Sequence, residues 1–346
     1  MPCQPKSSHS VIQEEWDLCD LLDGARALHD ALLDYEGDGV YADLLLPWLR
    51  ANPPALAWLG SFAQRQGNPV PPASKEELWV LHAFSRIGQV LVLPLQQGRG
   101  NGEGWAGPPL SLAEYEAFVE AMGMTVLRPA QFSPFYHEIV QLKPAESAHA
   151  RAAIMAWRWP CVMLGNMLFS RGGVDVCAGK TIFKPGIADA STLYWADRRK
   201  GRPVNDLSHG WGSNSQWRTS FRRDYVVDDT RFYNVDGKYD LAEQAAETAD
   251  DGLFPVLTLA QRIELLTQRC LVSSTTATMI CSPMTTAGAK LRTRAACTVG
   301  GRAGCQPCAA VASGKQRRET WVRIDAEARS GTTWLSAALD GKIWKN

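Results

Sequence analysis

The sequence predicts a mixed α+β fold, with a helical N-terminal part packed on a central mixed sheet and a basic, irregular C-terminal tail. Three observations predict it. Helical periodicity dominates the first quarter of the chain, whereas short apolar or alternating runs separated by Gly, Pro and Asx turns fill residues 88–240. From Leu271 hydrophobic periodicity largely stops. Three segments are therefore expected. Residues 1–87 are mainly helical, 88–270 form a mixed α/β body carrying the candidate site, and 271–346 form a low-periodicity tail rich in Cys, Thr and Ala.

The elements follow in order. Val11 to Leu22 is amphipathic, and Ala25 to Leu33 repeats the pattern after Gly24. Asn52-Pro53-Pro54 ends one helix and starts the next, because proline suits the first helical turn. Ser74 with Glu77, and Ser111 with Glu114, have capping-box spacing and each opens a helix. Gln89 to Leu95 reads as an apolar strand, followed by a glycine-rich loop from Gly98 to Pro109. Met124 to Leu127 and Tyr136 to Leu142 read as strands, and Ala150 to Phe169 as a helix broken at Pro160. Val174 to Cys177 and Thr181 to Phe183 suggest a hairpin about Gly179, and Arg198 to Arg202 a basic surface loop. Ser191 to Trp195 fits a strand or a short helix. Thr230 to Tyr239 suggests a hairpin around Asp236-Gly237, with helices over Leu241 to Thr248 and Thr258 to Arg269. No repeat of 20 to 50 residues is visible, which argues against solenoids and propellers.

With 45% hydrophobic and 21% charged residues, the composition is that of an ordinary soluble globular protein, and 13 tryptophans point to well-filled cores or aromatic pockets. The net charge of zero conceals an asymmetry. Residues 271–346 carry 11 Lys+Arg against 4 Asp+Glu, leaving 25 against 32 for the rest. This balance indicates neither a membrane nor a nucleic acid as partner, except through the basic tail. Met1 to Ser10 lacks an apolar secretion core, and the apolar run Ala152 to Phe169 is broken by Arg158, Pro160 and Asn166, so a cytoplasmic location is expected. Cys3, Cys19, Cys161 and Cys177 are isolated, as free thiols in a reducing compartment would be. Five of nine cysteines fall between Cys270 and Cys308, with only Cys305 and Cys308 in Cys-x-x-Cys spacing. A structural zinc site usually needs two such pairs, so these two are weak metal candidates. A disordered basic tail, or a shifted reading frame of GC-rich DNA, explains this composition better than a metal site does.

The richest stretch runs from Asp206 to Tyr225. Ser208, His209, Gly210, Trp211 and Gly212 form a glycine-bearing loop, and Ser213 with Gln216 has the spacing of a capping box. A helix from there would carry Trp217, Phe221 and Tyr225 as one aromatic stripe, with Arg218 and Arg222 on a neighbouring face. A helix N-terminus attracts anions, and Arg218 in a first turn suits a bound phosphate or carboxylate better than the bare dipole. The ligand-binding candidates are thus Ser208, His209, Gly210, Trp211, Gly212, Ser213, Arg218 and Arg222. The plain alternative is a capped turn with Arg218 paired to Asp224.

Other motifs fall short. Gly179-Lys180-Thr181 lacks the earlier glycine of a P-loop, since position 174 is Val, and Pro185 bars a following helix. Gly98, Gly100, Gly102 and Gly104 fit no dinucleotide fingerprint, so no cofactor is legible. His137 reads as a partly buried, hydrogen-bonded imidazole. A His209 base oriented by Asp224, or a partner in Glu138, is the weak catalytic candidate. Arg171, Lys180 and Lys184 would join Arg218 and Arg222 in one basic cleft if their segments are adjacent.

The leading expectation is a protein that binds a small anionic ligand, phosphate- or nucleotide-like, around residues 208–222. A second, of another class, is a bacterial immunity or antitoxin-like factor that binds a protein partner through Trp211 and Arg218. A third is an enzyme using His209 as acid or base.

Overall fold

The computed structural model describes residues 17–96, 105–193, 196–204, 221–241, 257–274 and 289–294. Helix α1 (Leu18–Leu33) starts at Asp17, whose carboxylate caps the amides of Cys19 and Asp20. It runs straight through Gly24, where a break was expected. A π-helical turn at Tyr41–Leu45 leads into α2 (Leu46–Ala51), and α3 (Pro53–Ala63) has proline in its first turn, as predicted. Both expected capping boxes form, at Ser74–Glu77 opening α4 (Lys75–Leu91) and at Ser111–Glu114 opening α5 (Leu112–Ala121).

The expected strand Gln89–Leu95 is instead the end of α4 and a following turn. Val90 and Leu91 complete the buried stripe begun by Leu78, Leu81 and Ile87, and the turn contains Pro94.

The strands are β1 (Thr125–Leu127), β2 (His137–Pro144), β3 (Ala153–Trp159), β4 (Cys161–Leu164), β5 (Met167–Ser170), β6 (Gly172–Ala178), β7 (Asp224–Val227), β8 (Thr230–Tyr233), β9 (Tyr239–Asp240) and β10 (Ala289–Arg294). A helix over 150–169 is thereby corrected to three strands. Pro160 and the turn Gly165-Asn166 cut the run into lengths too short for a helix, and a continuous apolar run does not distinguish the two states. Thr181–Phe183 lies in a turn, and β6 pairs with β2 and β3, so the expected hairpin about Gly179 does not form. The hairpin predicted at Asp236-Gly237 turns instead at Asp228-Asp229, joining β7 to β8. Of the tail, Ala289–Arg294 is not irregular but pairs with β8. Helix α6 (Leu259–Gln268) matches expectation, while the helix expected over Leu241–Thr248 falls outside the described residues but for Leu241.

The fold is α+β with two sheets. The larger has the order β1-β4-β5-β7-β8-β10-β9 and the smaller β2-β6-β3. One face of the larger sheet presents Val162, Leu164, Met167 and Tyr225 to the core formed by α1–α5. Its other face presents Cys161, Met163, Leu168 and Leu291 to Phe135 and to Leu266 of α6. The sheet is covered on both sides, which explains why β4 is buried along its whole length.

The chain passes between the sheets twice at one corner, outward at Pro160 and back at Arg171. Gly172 makes that corner possible. A β-carbon there would lie 2.8 Å from the Cys161 amide and 2.5 Å from the Trp157 ring. The Trp159 indole donates to the Arg171 carbonyl at 2.9 Å and fixes the crossing.

The loop 196–204 is not the solvated basic loop expected. Arg199 is buried against Glu138, and Arg202 donates to the carbonyls of Ile139 (3.0 Å) and Ala188. Gln89 in the last turn of α4, and Gln96 just after the turn that follows it, accept from the amides of Arg198 (3.0 Å) and Lys200 (2.7 Å). Arginine in a run of Arg, Lys and Gly looks solvated in sequence, but planar guanidiniums satisfy several buried carbonyls at once.

No helix among the described residues is long and apolar enough to cross a membrane. Gly172→Ala is expected to cost about 1–3 kcal/mol in chemical denaturation, as overpacking does. Gly60→Ala, inside α3 with nothing within 4 Å of the added carbon, is expected to gain roughly 0.5–1 kcal/mol.

Candidate functional site

Residues 221–223 are not helical and Asp224–Val227 is a strand, so the predicted helix does not reach Tyr225. Alternation sends Phe221, Arg223 and Tyr225 to one face and Arg222 and Asp224 to the other. Phe221 and Tyr225 share the helical core, as the aromatic stripe foresaw, but through strand geometry. Arg223 grips Asp236 with two bonds, 2.9 and 2.6 Å, and donates to the Pro71 carbonyl at 3.0 Å. Burial weakens that guanidinium and Asp236 more than restores it, leaving Arg223 above the ordinary arginine range.

On the opposite face Asp224 is fully buried. Its Oδ1 accepts from Arg222 Nε at 2.8 Å and from the Asn234 amide at 2.7 Å, and its Oδ2 from Arg269 Nη2 at 3.3 Å. Burial alone pushes the carboxyl up, but the guanidiniums of Arg222, Arg269 and Arg171 outweigh it and hold it below the usual carboxylate range. Asp224 is therefore a buried anion surrounded by cations. Arg222, expected on a helix face beside the aromatic stripe as a ligand contact, is instead on a strand-side face and buried, its side chain 1% exposed.

Two of these arginines also reach α6. Arg171 donates to the Thr267 carbonyl at 2.5 Å and Arg222 to that of Leu266. These carbonyls belong to the last turn of α6, which has no intrahelical donors for them and carries the negative end of the dipole. Arg269 closes that helix in the left-handed region (φ 63°), its amide donating to the Leu265 carbonyl at 2.9 Å.

Among the described residues Arg171, Arg222 and Arg269 gather around Asp224, and Glu138 also bears on Arg171. Arg171 is pushed below the ordinary arginine range, first by burial and then by Arg222. Arg269 is pushed down to about 9, first by burial and then by Arg171. Moreover, Arg171 Nε and Nη1 and Arg269 Nε have no hydrogen-bond partner among the described residues. A buried donor left unpaired costs about 1–3 kcal/mol, and more when charged.

Of the residues singled out in the sequence, Arg171 and Arg222 do come together, whereas Lys180 is exposed elsewhere. Arg269 was missed, because nothing in its local sequence distinguishes it from the end of a surface helix. Arg171 carried a signal, a charge embedded in the apolar run 161–178. Ser208, His209, Gly210, Trp211, Gly212, Ser213 and Arg218 lie outside the described residues, as do Cys305 and Cys308. Among the described residues no group of His, Cys, Asp or Glu has the arrangement of a metal site.

The neighbouring groups are poor reactants. Burial pushes the Cys161 thiol up to about 12, although Arg171 and Arg269 pull the other way. His137 is held by Ser133, with 2.9 Å between its Nδ1 and that residue's carbonyl, and stacks on Phe132. Burial pushes it down to about 4. Glu138 is taken up by Arg199. The chain matches no family model, no curated protein and no solved structure.

Asp224→Asn is expected to cost about 3–5 kcal/mol of unfolding free energy, because it leaves two buried guanidiniums facing a neutral amide. A pH dependence follows from His137 and from His29, which burial also pushes to about 4. Both bind a proton near pH 6.5 once unfolded. Their contribution is therefore complete above about 6.5 and is lost as pH falls towards 4. Denaturation curves across that window are expected to flatten in His137→Gln by at least about 1 kcal/mol.

Proposed function

We propose that the protein binds a small anionic ligand, phosphate- or nucleotide-like, at the cationic centre of Arg171, Arg222 and Arg269. The observation that carries the reading is the set of buried guanidinium donors, Nε and Nη1 of Arg171 and Nε of Arg269, that have no hydrogen-bond partner among the described residues. Isolated buried charge is costly, and proteins retain it where a partner of opposite sign completes it. Arg171 and Arg269 supply donors for such a partner. The reading shares Arg222 with the site expected from sequence and stands without residues 208–218. A reducing cytoplasm suits it, since Cys19, Cys161, Cys177 and Cys270 are free thiols.

Catalysis by His209 gains no support from Asp224, whose oxygens already accept from Arg222, Arg269 and the Asn234 amide. The protein-interaction reading has one feature in its favour. Met155 is 61% exposed on β3, an edge strand that pairs only with β6 among the described residues.

Thermal shift of the full chain against phosphate, nucleotides and phosphosugars tests the proposal. A ligand at a hundredfold excess over Kd contributes about 2.7 kcal/mol, which raises the midpoint visibly. The expected result is a response to phosphate-bearing ligands that Arg171→Met abolishes, while the same variant lowers the midpoint of the free protein by losing its bond to the Thr267 carbonyl. A flat panel sinks the anion reading and favours a protein partner.

A further inference from the structure

A buried imidazole opens β2. His137 is 1% exposed and ends the turn 132–137, beside the corner where the chain crosses between the sheets. Gly172 of β6 pairs with it, and the Gly172 amide donates to the Tyr136 carbonyl at 2.9 Å. The imidazole stacks on Phe132 (centroids 5.5 Å apart) and packs at a tilt against Trp157 of β3 (5.0 Å). Its Nδ1 lies 2.9 Å from the Ser133 amide nitrogen and also 2.9 Å from the Ser133 carbonyl oxygen. One ring atom thus faces a donor and an acceptor of the same residue at the same distance.

The hydrogen bonds around Ser133 decide which of the two it serves. The carbonyl already accepts from the amides of Tyr136 (3.1 Å) and His137 (2.9 Å), which occupy both of its lone pairs. The Ser133 amide has Nδ1 as its acceptor, and a buried amide without one is costly. The neutral ring therefore carries its proton on Nε2 and accepts at Nδ1. Protonation reverses that role, because both nitrogens of an imidazolium donate. An Nδ1–H then opposes the Ser133 N–H, and the carbonyl beside it is already filled. Burial opposes the charged ring most, the carbonyls of Ser133 and Pro129 favour it less, and Arg171 at the corner and Arg231 of β8 oppose it again. Glu138, the next residue of β2, is engaged by Arg199.

The turn held by this bond joins two cores. Phe132 packs on the core of the smaller sheet, edge-on to Phe183 at 5.5 Å. Phe135 is fully buried in the core between the larger sheet and α6, edge-on to Tyr233 at 5.6 Å. We propose that Ser133 and His137 form an acid-released latch, in which a proton taken up at Nδ1 breaks the Ser133 amide bond and opens the turn 132–137 locally. Opening loosens Phe132 and Phe135 from the two cores they join.

Native-state amide hydrogen exchange of the full chain tests the latch, with each rate divided by the intrinsic rate at that pH. The closed ring is pushed down to about 4, whereas an open one titrates near 6.5. The latch is therefore intact above about 6.5 and weakens as pH falls towards 4. Protection of the Ser133 amide is expected to fall by about tenfold or more from pH 7.5 to pH 5, and that of the α4 amides from Val80 to Ile87 to fall less. His137→Asn puts an oxygen where Nδ1 accepts and does not titrate, so it is expected to abolish the fall at Ser133. Nitrogen NMR of the wild-type imidazole needs no variant and is expected to show a bare Nδ1 and a protonated Nε2 at pH 7.5. A proton on Nδ1 at that pH would overturn the latch. So would unchanged protection at Ser133, an equal fall in α4, or the same fall in His137→Asn.

Discussion

The C-terminal end of one helix, clamped by buried arginines, is the interaction on which this architecture depends. Arg171 and Arg222 hold the last carbonyls of α6 while Asp224 holds Arg222 and Arg269. The clamp ties together the corner where the chain changes sheets, the start of β7 and the helix covering the sheet's second face. An apolar contact would not require such alignment. A guanidinium directs planar donors to oxygens, so it sets position as well as contact.

That clamp also explains why so much of the interior is charged. Arg199, Arg202, Arg222, Arg223 and Arg171 are buried, and several use backbone carbonyls as well as carboxylates as acceptors. Arg223 and Asp236 make a nearly neutral pair, and so do Arg199 and Glu138. The centre around Asp224 differs from these pairs, because Arg171 and Arg269 keep donors with no hydrogen-bond partner among the described residues. Those donors are the physical basis for proposing a ligand there, beside a Cys161 thiol that burial pushes up.

Local signals were read well and ambiguous ones were not. Ser74 with Glu77, Ser111 with Glu114, and Pro53 marked true helix starts, because a cap is satisfied by residues three apart whatever surrounds it. The apolar run 150–169 was legible as core but not as strand, since burial on both faces removes the alternation that identifies a strand. Phe221 and Tyr225 illustrate the same limit. A spacing of four places two side chains on one face of a helix and also on one face of a strand. Their spacing implies common burial in either state, and it is a strand that delivers it.

By itself, the sequence determined the α+β class, the helix starts and most of the apolar residues that fill the core. These follow from short-range rules of capping, proline geometry and hydrophobicity. Only the tertiary structure decided which charges meet. Arg171 and Asp224 are 53 residues apart in the chain, and Arg269 is 45 beyond Asp224. No local pattern records that pairing, because electrostatic energy depends on distance in space and on exclusion of water, and both are set by how the two sheets and α6 close upon one another.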